Sequence, residues 1–175
     1  DGHLLVSSGG NANYTTVNSR GSLDVYSGGT ALNIVENGGD VFVAVGANVT
    51  FTPNTFSGLV LSDATASLHS GTVANSTTVN SNGFLYVKSG GTADSSCVMS
   101  GGELYVDTGG TASYTRVQSG GIMVVSQGAT VYETHLDSFG KAKLWGGAVA
   151  SNTSIGYAAE MTVLSGGLAD TNIID

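Results

Sequence analysis

Apolar residues recur along this chain at the same few positions of a nineteen-residue repeat. When each repeat is numbered from the residue before its first glycine, position five is alanine or valine, position ten is mostly valine, and positions sixteen and eighteen form an apolar pair such as Leu85 and Val87. Apolar residues two apart are typical of short half-buried strands. The pattern predicts strands at positions eight to ten and sixteen to eighteen, and a shorter one around position five. The repeats begin at Ser8, Ser27, Val45, Ser70, Ser89, Thr108, Gln127, Gly146 and Ser165.

Strands this short cannot bury a face on their own, so each repeat must stack on its copies, with successive strands about 4.8 Å apart. The sequence therefore predicts an all-β fold, a parallel β-helix (solenoid) of about nine coils with nineteen residues per coil. The glycines predict sharp turns, since glycine adopts positive φ angles without strain. Position eight is usually threonine, and we expect these hydroxyls to form a hydrogen-bonded ladder inside the coils.

Two repeats depart from the regular length. The repeat that begins at Ser27 is one residue short, whereas the repeat 45–69 has 25 residues and contains the only proline, Pro53. We attribute the extra residues to an insertion near Phe51 to Leu59. Residues 1–175 are accordingly interpreted as a single β-helix segment of a longer array, with one irregular, insertion-bearing coil at 45–69.

Charge and cysteine content narrow the functional classes. Thirteen acidic against five basic residues give a net charge of −8, and because such a surface repels phosphate backbones, nucleic acid is not an expected partner. The single cysteine, Cys97, excludes an intramolecular disulfide. Charged residues make up only 10% of the chain and apolar residues 41%, a composition that favours a folded chain over a disordered one.

Side chains that could catalyse a reaction do not assemble in the repeat. The three histidines, His3, His69 and His135, occupy different repeat positions. The acids that come nearest to one another are interpreted as solvated surface: Glu103, Asp107, Glu133 and Asp137. We therefore expect no enzyme activity, no metal site and no cofactor. The alternative is a β-helix enzyme acting on polysaccharide, which would need clustered acids and bases in a groove.

The outward positions fifteen and seventeen carry apolar or aromatic side chains in three successive coils, apart from Glu103, beside the core positions sixteen and eighteen. A contiguous apolar and aromatic stripe on a solvent face indicates an interaction surface. The alternative is that a neighbouring segment covers it. The residues concerned are Phe84, Tyr86, Tyr105, Ile122 and Val124.

The repeat unit SGGTAxxTxVxSGGxLxVxxGG resembles the strand-loop-strand repeat of AIDA-type self-associating autotransporter adhesins. The nineteen-residue period, the paired glycines, the alanine column and the TxV motif occur together, over the whole chain apart from about Thr50 to Leu61. The resemblance implies a right-handed parallel β-helix. It also implies a passenger segment exported through the outer membrane and displayed on, or released from, a bacterial cell surface.

The same resemblance implies several activities and partners. They are adhesion to a host cell-surface receptor or glycan, self-association with other copies, and O-heptosylation of serines by a heptosyltransferase during biogenesis. Thr108, Gln127 and Gly146 replace serine at position one, so modification is not expected to be uniform along the array. The matching turn serines are Ser8, Ser27, Ser70, Ser89 and Ser165 at position one, and Ser100 and Ser119 at position twelve.

Overall fold

The structure is a computed structural model that describes residues 1–175. The chain forms strands and turns without any helix, so no helix long and apolar enough to cross a membrane is present. Each regular coil contributes three strands, and all strand pairs are parallel. The prediction of an all-β parallel β-helix is confirmed, with nine strands in the sheet built from positions fifteen to eighteen.

Three sheets run along the solenoid, and we name each after its most frequent inward residue. The Leu sheet holds β1 (His3–Val6), β4 (Ser22–Val25), β6 (Asp40–Val43), β10 (Thr65–Leu68), β13 (Phe84–Val87), β16 (Glu103–Val106), β19 (Ile122–Val125), β22 (Lys141–Leu144) and β25 (Glu160–Val163). The Ala sheet holds β2 (Asn11–Asn13), β5 (Thr30–Asn37), β7 (Asn48–Phe51), β8 (Asn54–Ser57), β11 (Thr72–Asn75), β14 (Thr92–Asp94), β17 (Thr111–Ser113), β20 (Thr130–Tyr132), β23 (Val149–Ser151) and β26 (Leu168–Asp170).

The third sheet is named the Val sheet, and the long strand β5 runs through both it and the Ala sheet. Its other strands are β3 (Thr16–Asn18), β9 (Val60–Leu61), β12 (Thr78–Val79), β15 (Cys97–Val98), β18 (Arg116–Val117), β21 (His135–Leu136), β24 (Ser154–Ile155) and β27 (Ile173–Ile174). In the regular coils equivalent residues pair directly, as Ala93 does with Ala112 and Val98 with Val117. The interior is therefore a set of columns of identical or similar side chains.

The predicted core columns are buried through most of the solenoid. Leu85, Val87, Leu104 and Val106 have no solvent exposure. Ile174, at the same repeat position as Val98, is exposed because no coil of the chain stacks on β27. A core residue is thus covered by the coil that follows it as well as by its own coil.

The two glycines of a pair have different roles. Gly90 adopts a φ of 75°, the left-handed conformation that glycine takes without strain. Gly91 has an ordinary φ, but a Cβ there would lie 2.1 Å from the carbonyl oxygen of Leu68 in the preceding coil. The first glycine allows the turn, and the second allows the coils to approach closely.

The hydroxyl column at position eight is buried but not hydrogen-bonded. Thr77, Ser96, Thr115, Thr134 and Thr153 are at most 1% exposed, and none of their Oγ atoms has a hydrogen-bond partner. The expected hydrogen-bonded ladder is therefore wrong.

The irregular segment lies at 45–69, and its extra residues lie where the strand register changes. Phe56 pairs with Ala74, and Leu61 pairs with Val79, so β8, β9 and β10 keep the register of the regular coils. Segment 45–51 forms an added half-coil, whose strand β7 stacks on β5 with Val49 opposite Ala31 and does not pair with β8. The register therefore changes between Val49 and Phe56, a segment that overlaps the expected insertion near Phe51 to Leu59.

This added half-coil divides the interior. Seven buried apolar residues, from Val6 to Val41, form one cluster, and 22 buried residues, from Leu61 to Ala150, form another. The Leu sheet is interrupted at the same level, between β6 and β10. The solenoid therefore has two stacked cores joined at an irregular junction.

Candidate interaction surface

The five residues of the proposed stripe, Phe84, Tyr86, Tyr105, Ile122 and Val124, lie together on the outer face of the Leu sheet. They belong to the adjacent strands β13, β16 and β19, in which Tyr86 pairs with Tyr105 and Tyr105 with Val124. Ile122 is 37% exposed, and the others are half-buried. The stripe is thus a shallow, continuous surface that spans three coils.

The two tyrosines of the stripe are held in place by their neighbours. Their rings stack with centroids 5.1 Å apart and an interplanar angle of 20°. Lys88 Nζ lies 4.8 Å from the centroid of Tyr86 and 2.6 Å from Oδ2 of Asp107. The Tyr105 hydroxyl donates a hydrogen bond to the Glu103 carboxylate, and this bond, together with burial, raises the pKa of Tyr105 to about 12. Tyr105 therefore stays neutral at physiological pH.

Cations lie at the C-terminal end of the stripe. Lys141 pairs with Ile122 and Lys143 with Val124, on the neighbouring strand β22. Together with Glu160 these residues line a shallow cavity of about 370 Å³. Lys143 Nζ also lies 4.5 Å from the ring centroid of Trp145. A partner of the stripe would therefore meet an apolar centre and a positively charged end.

The candidate acceptor serines are all exposed, and none of their hydroxyls takes part in a side-chain hydrogen bond. Five of them, all except Ser119 and Ser165, lie against a glycine of the next coil. A Cβ at Gly109 would lie 2.7 Å from Ser89 Oγ, and a Cβ at Gly120 would lie 2.7 Å from Ser100 Oγ. Each hydroxyl is accessible to an enzyme. The residues are Ser8, Ser27, Ser70, Ser89, Ser100, Ser119 and Ser165.

The two serine rows follow the two edges of the Leu sheet. Position one lies in the turn that leads from a Leu-sheet strand to the Ala sheet, as Ser89 does between β13 and β14. Position twelve lies in the turn that leads from the Val sheet to the Leu sheet, as Ser100 does between β15 and β16. Groups attached to either row would border the stripe.

A buried polar cluster at the junction has no counterpart in the sequence analysis. Glu36 occupies the inward position ten, where it pairs with Val17, and its side chain is fully buried. Its carboxylate accepts hydrogen bonds from Ser67 Oγ (3.0 Å), the His69 backbone N–H (2.6 Å) and Thr72 Oγ1 (2.9 Å). His69 Nδ1 lies 2.7 Å from Oε1. The sequence does contain a signal for this cluster, since Glu36 is the charged residue at position ten, which is apolar in the regular repeats.

The thiol of Cys97 is only partly exposed to solvent. Cys97 pairs with Thr78 and Arg116 in the adjacent coils and is half-buried. Burial raises the pKa of Cys97, although Arg116 acts in the opposite direction. A thiol with a raised pKa is mostly protonated at neutral pH, so Cys97 is a poor nucleophile.

Taken together, the stacked coils place this chain in the class of parallel β-solenoids. Among solved structures, the chain is similar to the crystal structure of a TibC-catalysed, hyper-glycosylated fragment of TibA. The two share 28% sequence identity with a TM-score of 0.42, over 99% of this chain and 71% of that one. No family model and no curated protein matches the chain.

Proposed function

We propose that the chain is a non-catalytic, adhesive segment of a bacterial surface protein, an autotransporter passenger that mediates cell adhesion and self-association. The observation that carries this proposal is the stripe, a largely apolar surface on three adjacent strands stacked at a fixed rise. The nineteen-residue repeat, which resembles that of AIDA-type adhesins, supports the same function. In this role the segment is displayed at the cell surface or released from it.

Self-association suits a solenoid for a physical reason. Because the lateral surface repeats coil after coil, contacts that are individually weak add when two rods meet along their length. The five stripe residues provide the contact, and Lys88 and Glu103 restrain its tyrosine rings. On the cell surface such contacts would promote autoaggregation and biofilm formation.

Adhesion can be measured directly with the 175-residue chain. Beads that carry the purified chain should attach to cultured epithelial cells more strongly than beads that carry an unrelated acidic protein of similar size. Soluble chain should compete for the attachment. Equal attachment of both kinds of bead would contradict the adhesive function.

We further propose that the exposed serines of the two rows are substrates for a heptosyltransferase. Serines in tight turns, with free hydroxyls, present acceptors to an enzyme without unfolding of the strands. Co-expressed with a heptosyltransferase, the chain should gain mass in steps of one heptose. Peptide mapping should find the sugar on the seven candidates and not on the buried Ser67 or Ser96. Sugar only on asparagine, or none at all, would reject this modification.

A further inference from the structure

The turn between the Val sheet and the Leu sheet is shortened in two adjacent coils. In regular coils it has four residues, as at 18–21 between Val17 and Ser22 and at 80–83 between Val79 and Phe84. At 37–39 and at 62–64 it has three, although the strands on both sides keep their register. The wall of the solenoid is therefore recessed over two coils and flanked by longer turns.

A groove of about 490 Å³ lies at this recess. Its volume falls within the range of roughly 300–1,000 Å³ found for small-molecule sites. The longer turns supply its two rims, a shortened turn supplies part of its floor, and Asp1 and the strands β4, β6, β10 and β13 supply the rest. The side chains used below are Arg20, Asp40, Asp63, Thr65, Asn82 and Phe84.

The rims carry polar side chains at a left-handed turn position that holds glycine, phenylalanine or alanine in the other regular coils. Arg20 and Asn82 adopt φ angles of 65° and 53°, at the turn position that Gly101 and Gly120 occupy elsewhere with φ angles of 73° and 75°. A left-handed backbone is strained for arginine and unstrained for glycine. Phe139 and Ala158 occupy the same position with φ angles of 62° and 54°, so this strain is shared along the solenoid, and the groove is distinguished by the polar side chains at its two rims.

Those side chains hold the groove in shape and leave hydrogen-bonding groups free. Arg20 Nη2 donates to the carbonyl oxygen of Ser62 at 3.3 Å, which leaves its other N–H groups available. Asn82 Nδ2 donates to Asp63 Oδ1 at 2.9 Å, which leaves Oδ2 of Asp63 available. The groove therefore offers both a donor and acceptors at fixed positions.

Asp40 is the acceptor whose surroundings most favour a ligand. It is half-buried, and its carboxylate takes part in no hydrogen bond or ion pair of the structure. Desolvation by burial, together with the nearby Asp24, raises the pKa of Asp40. Because a desolvated acceptor without a donor is destabilising, a ligand that donates a hydrogen bond here would relieve the cost.

We propose that this groove binds a neutral saccharide. Sugar hydroxyls can donate to Asp40 and Asp63 and accept from Arg20, while the Phe84 ring offers an apolar surface to the C–H groups of a sugar ring. Three carboxylates, those of Asp1, Asp40 and Asp63, against the Arg20 guanidinium and the amino group of Asp1 disfavour acidic sugars and phosphates. The guanidinium at the rim disfavours a calcium ion, which requires oxygen ligands.

The shortened turns also keep the groove clear of the protein's own proposed modification. The residue that the shortened turns lack is position twelve. Asn37 pairs with Asn18 at position eleven, and Gly38, which follows it directly, has the positive φ that Arg20 has at position thirteen. Regular coils carry a serine at position twelve, as at Ser81, Ser100 and Ser119. The position-twelve row is therefore interrupted where the groove opens. Saccharide binding in the groove would give the proposed adhesive function a ligand. The binding itself does not depend on that function, and only its biological role rests on it.

The test is a titration of the ¹⁵N-labelled 175-residue chain with the methyl glycosides of galactose, mannose, fucose and N-acetylglucosamine, with N-acetylneuraminic acid as the acidic comparison. At least one neutral glycoside should shift the backbone amides of Arg20, Thr65 and Asn82, with millimolar affinity. Arg20→Gly should weaken that binding tenfold or more and leave the melting temperature unchanged or higher, because it removes backbone strain. Asp40→Asn is a second variant that should bind more weakly.

Ala158→Gly is the matched control, since Ala158 occupies the same turn position with a φ of 54° in a coil far from the groove. It should bind as the parent chain does. Groove amides that no glycoside shifts, or equal binding by Arg20→Gly and Ala158→Gly, would overturn the proposal. If the chain adheres to cells in that case, the adhesive function stands without the groove. If a glycoside binds in the groove of a chain that does not adhere, the groove stands and the adhesive function fails.

Discussion

Glu36 and His69 belong to different coils, and His69 Nδ1 lies 2.7 Å from Oε1 of Glu36, a side chain without solvent exposure. The imidazole ring also stacks on Phe51, with centroids 4.4 Å apart. This pair lies at the junction between the two cores, next to the added half-coil. Because the junction lacks the continuous apolar columns found elsewhere, its stability depends on these polar contacts.

Glu36→Gln should therefore destabilise the chain by about 3 kcal/mol, as expected when one partner of a buried hydrogen-bonded pair is removed. The amide keeps the size of the side chain but cannot accept hydrogen bonds with both of its terminal atoms. Chemical denaturation monitored by circular dichroism would measure the change. Glu133→Gln, at an exposed glutamate, is the control and should have no effect. Equal stability of the two variants would contradict a structural role for the cluster.

Asp40→Asn should increase stability at neutral pH. Since burial raises the pKa of Asp40 in the folded chain above the ordinary value of an aspartate, the folded state binds a proton more tightly than the unfolded state does. The contribution of Asp40 to stability is fully present below the unfolded pKa and is lost as the pH rises through the folded pKa. The variant should thus exceed the parent at pH 7 and lose this advantage towards pH 3. Thermal denaturation across this range would measure it.

The control for Asp40→Asn is Asp170→Asn, at an exposed carboxylate without a side-chain hydrogen bond. It should follow the parent chain at every pH. A lower melting temperature of Asp40→Asn at pH 7 would show that its carboxylate has a stabilising partner. If Asp40→Asn is both more stable and weaker in glycoside binding, the carboxylate is retained for binding at the expense of stability.

Thr115→Val should stabilise the chain by about 1 kcal/mol, because it replaces a buried hydroxyl that has no hydrogen-bond partner with a methyl group. The neighbours in the column, Ser96 and Thr134, are equally buried. Thr130→Val, at an exposed threonine, is the matched substitution and should change stability little. Urea denaturation of both variants is the measurement. Destabilisation by Thr115→Val would mean that the hydroxyl has a partner in solution.

Self-association should be weak in dilute salt and stronger at higher salt, since rods with a net charge of −8 repel each other and salt screens the repulsion to about 8 Å at physiological ionic strength. Tyr86→Ser combined with Tyr105→Ser should reduce the association, because it removes the stacked pair at the centre of the stripe. Sedimentation velocity across a salt series would measure both effects.

Tyr14→Ser combined with Tyr114→Ser is the control for the stripe, since both tyrosines are exposed in turns between the Ala sheet and the Val sheet, away from the Leu sheet. This variant should associate as the parent does. A chain that is monomeric at every salt concentration, or a dimer that the stripe substitutions leave unchanged, would favour receptor binding over self-recognition as the role of the stripe.

The sequence by itself determined the regular part of this protein. Columns such as Leu85 with Leu104, and Val87 with Val106, predicted the strands, their inward faces and their stacking, because each coil is packed against a near-copy of itself. The same periodicity placed Tyr86 beside Tyr105, since a nineteen-residue repeat brings equivalent outward residues together. Wherever the repeat holds, the position of a residue in the repeat also identifies its neighbours in the adjacent coils.

Only the tertiary structure decided what happens where the repeat fails. Phe56 takes the place of an alanine, and Glu36 enters an apolar column, because the added half-coil at 45–51 changes what stacks above and below them. The groove between Arg20 and Asn82 likewise depends on two shortened turns that are adjacent in space although 25 residues apart in the chain. Periodicity cannot predict such neighbours, since pairing across an insertion is selected by hydrogen bonding and burial in the folded chain.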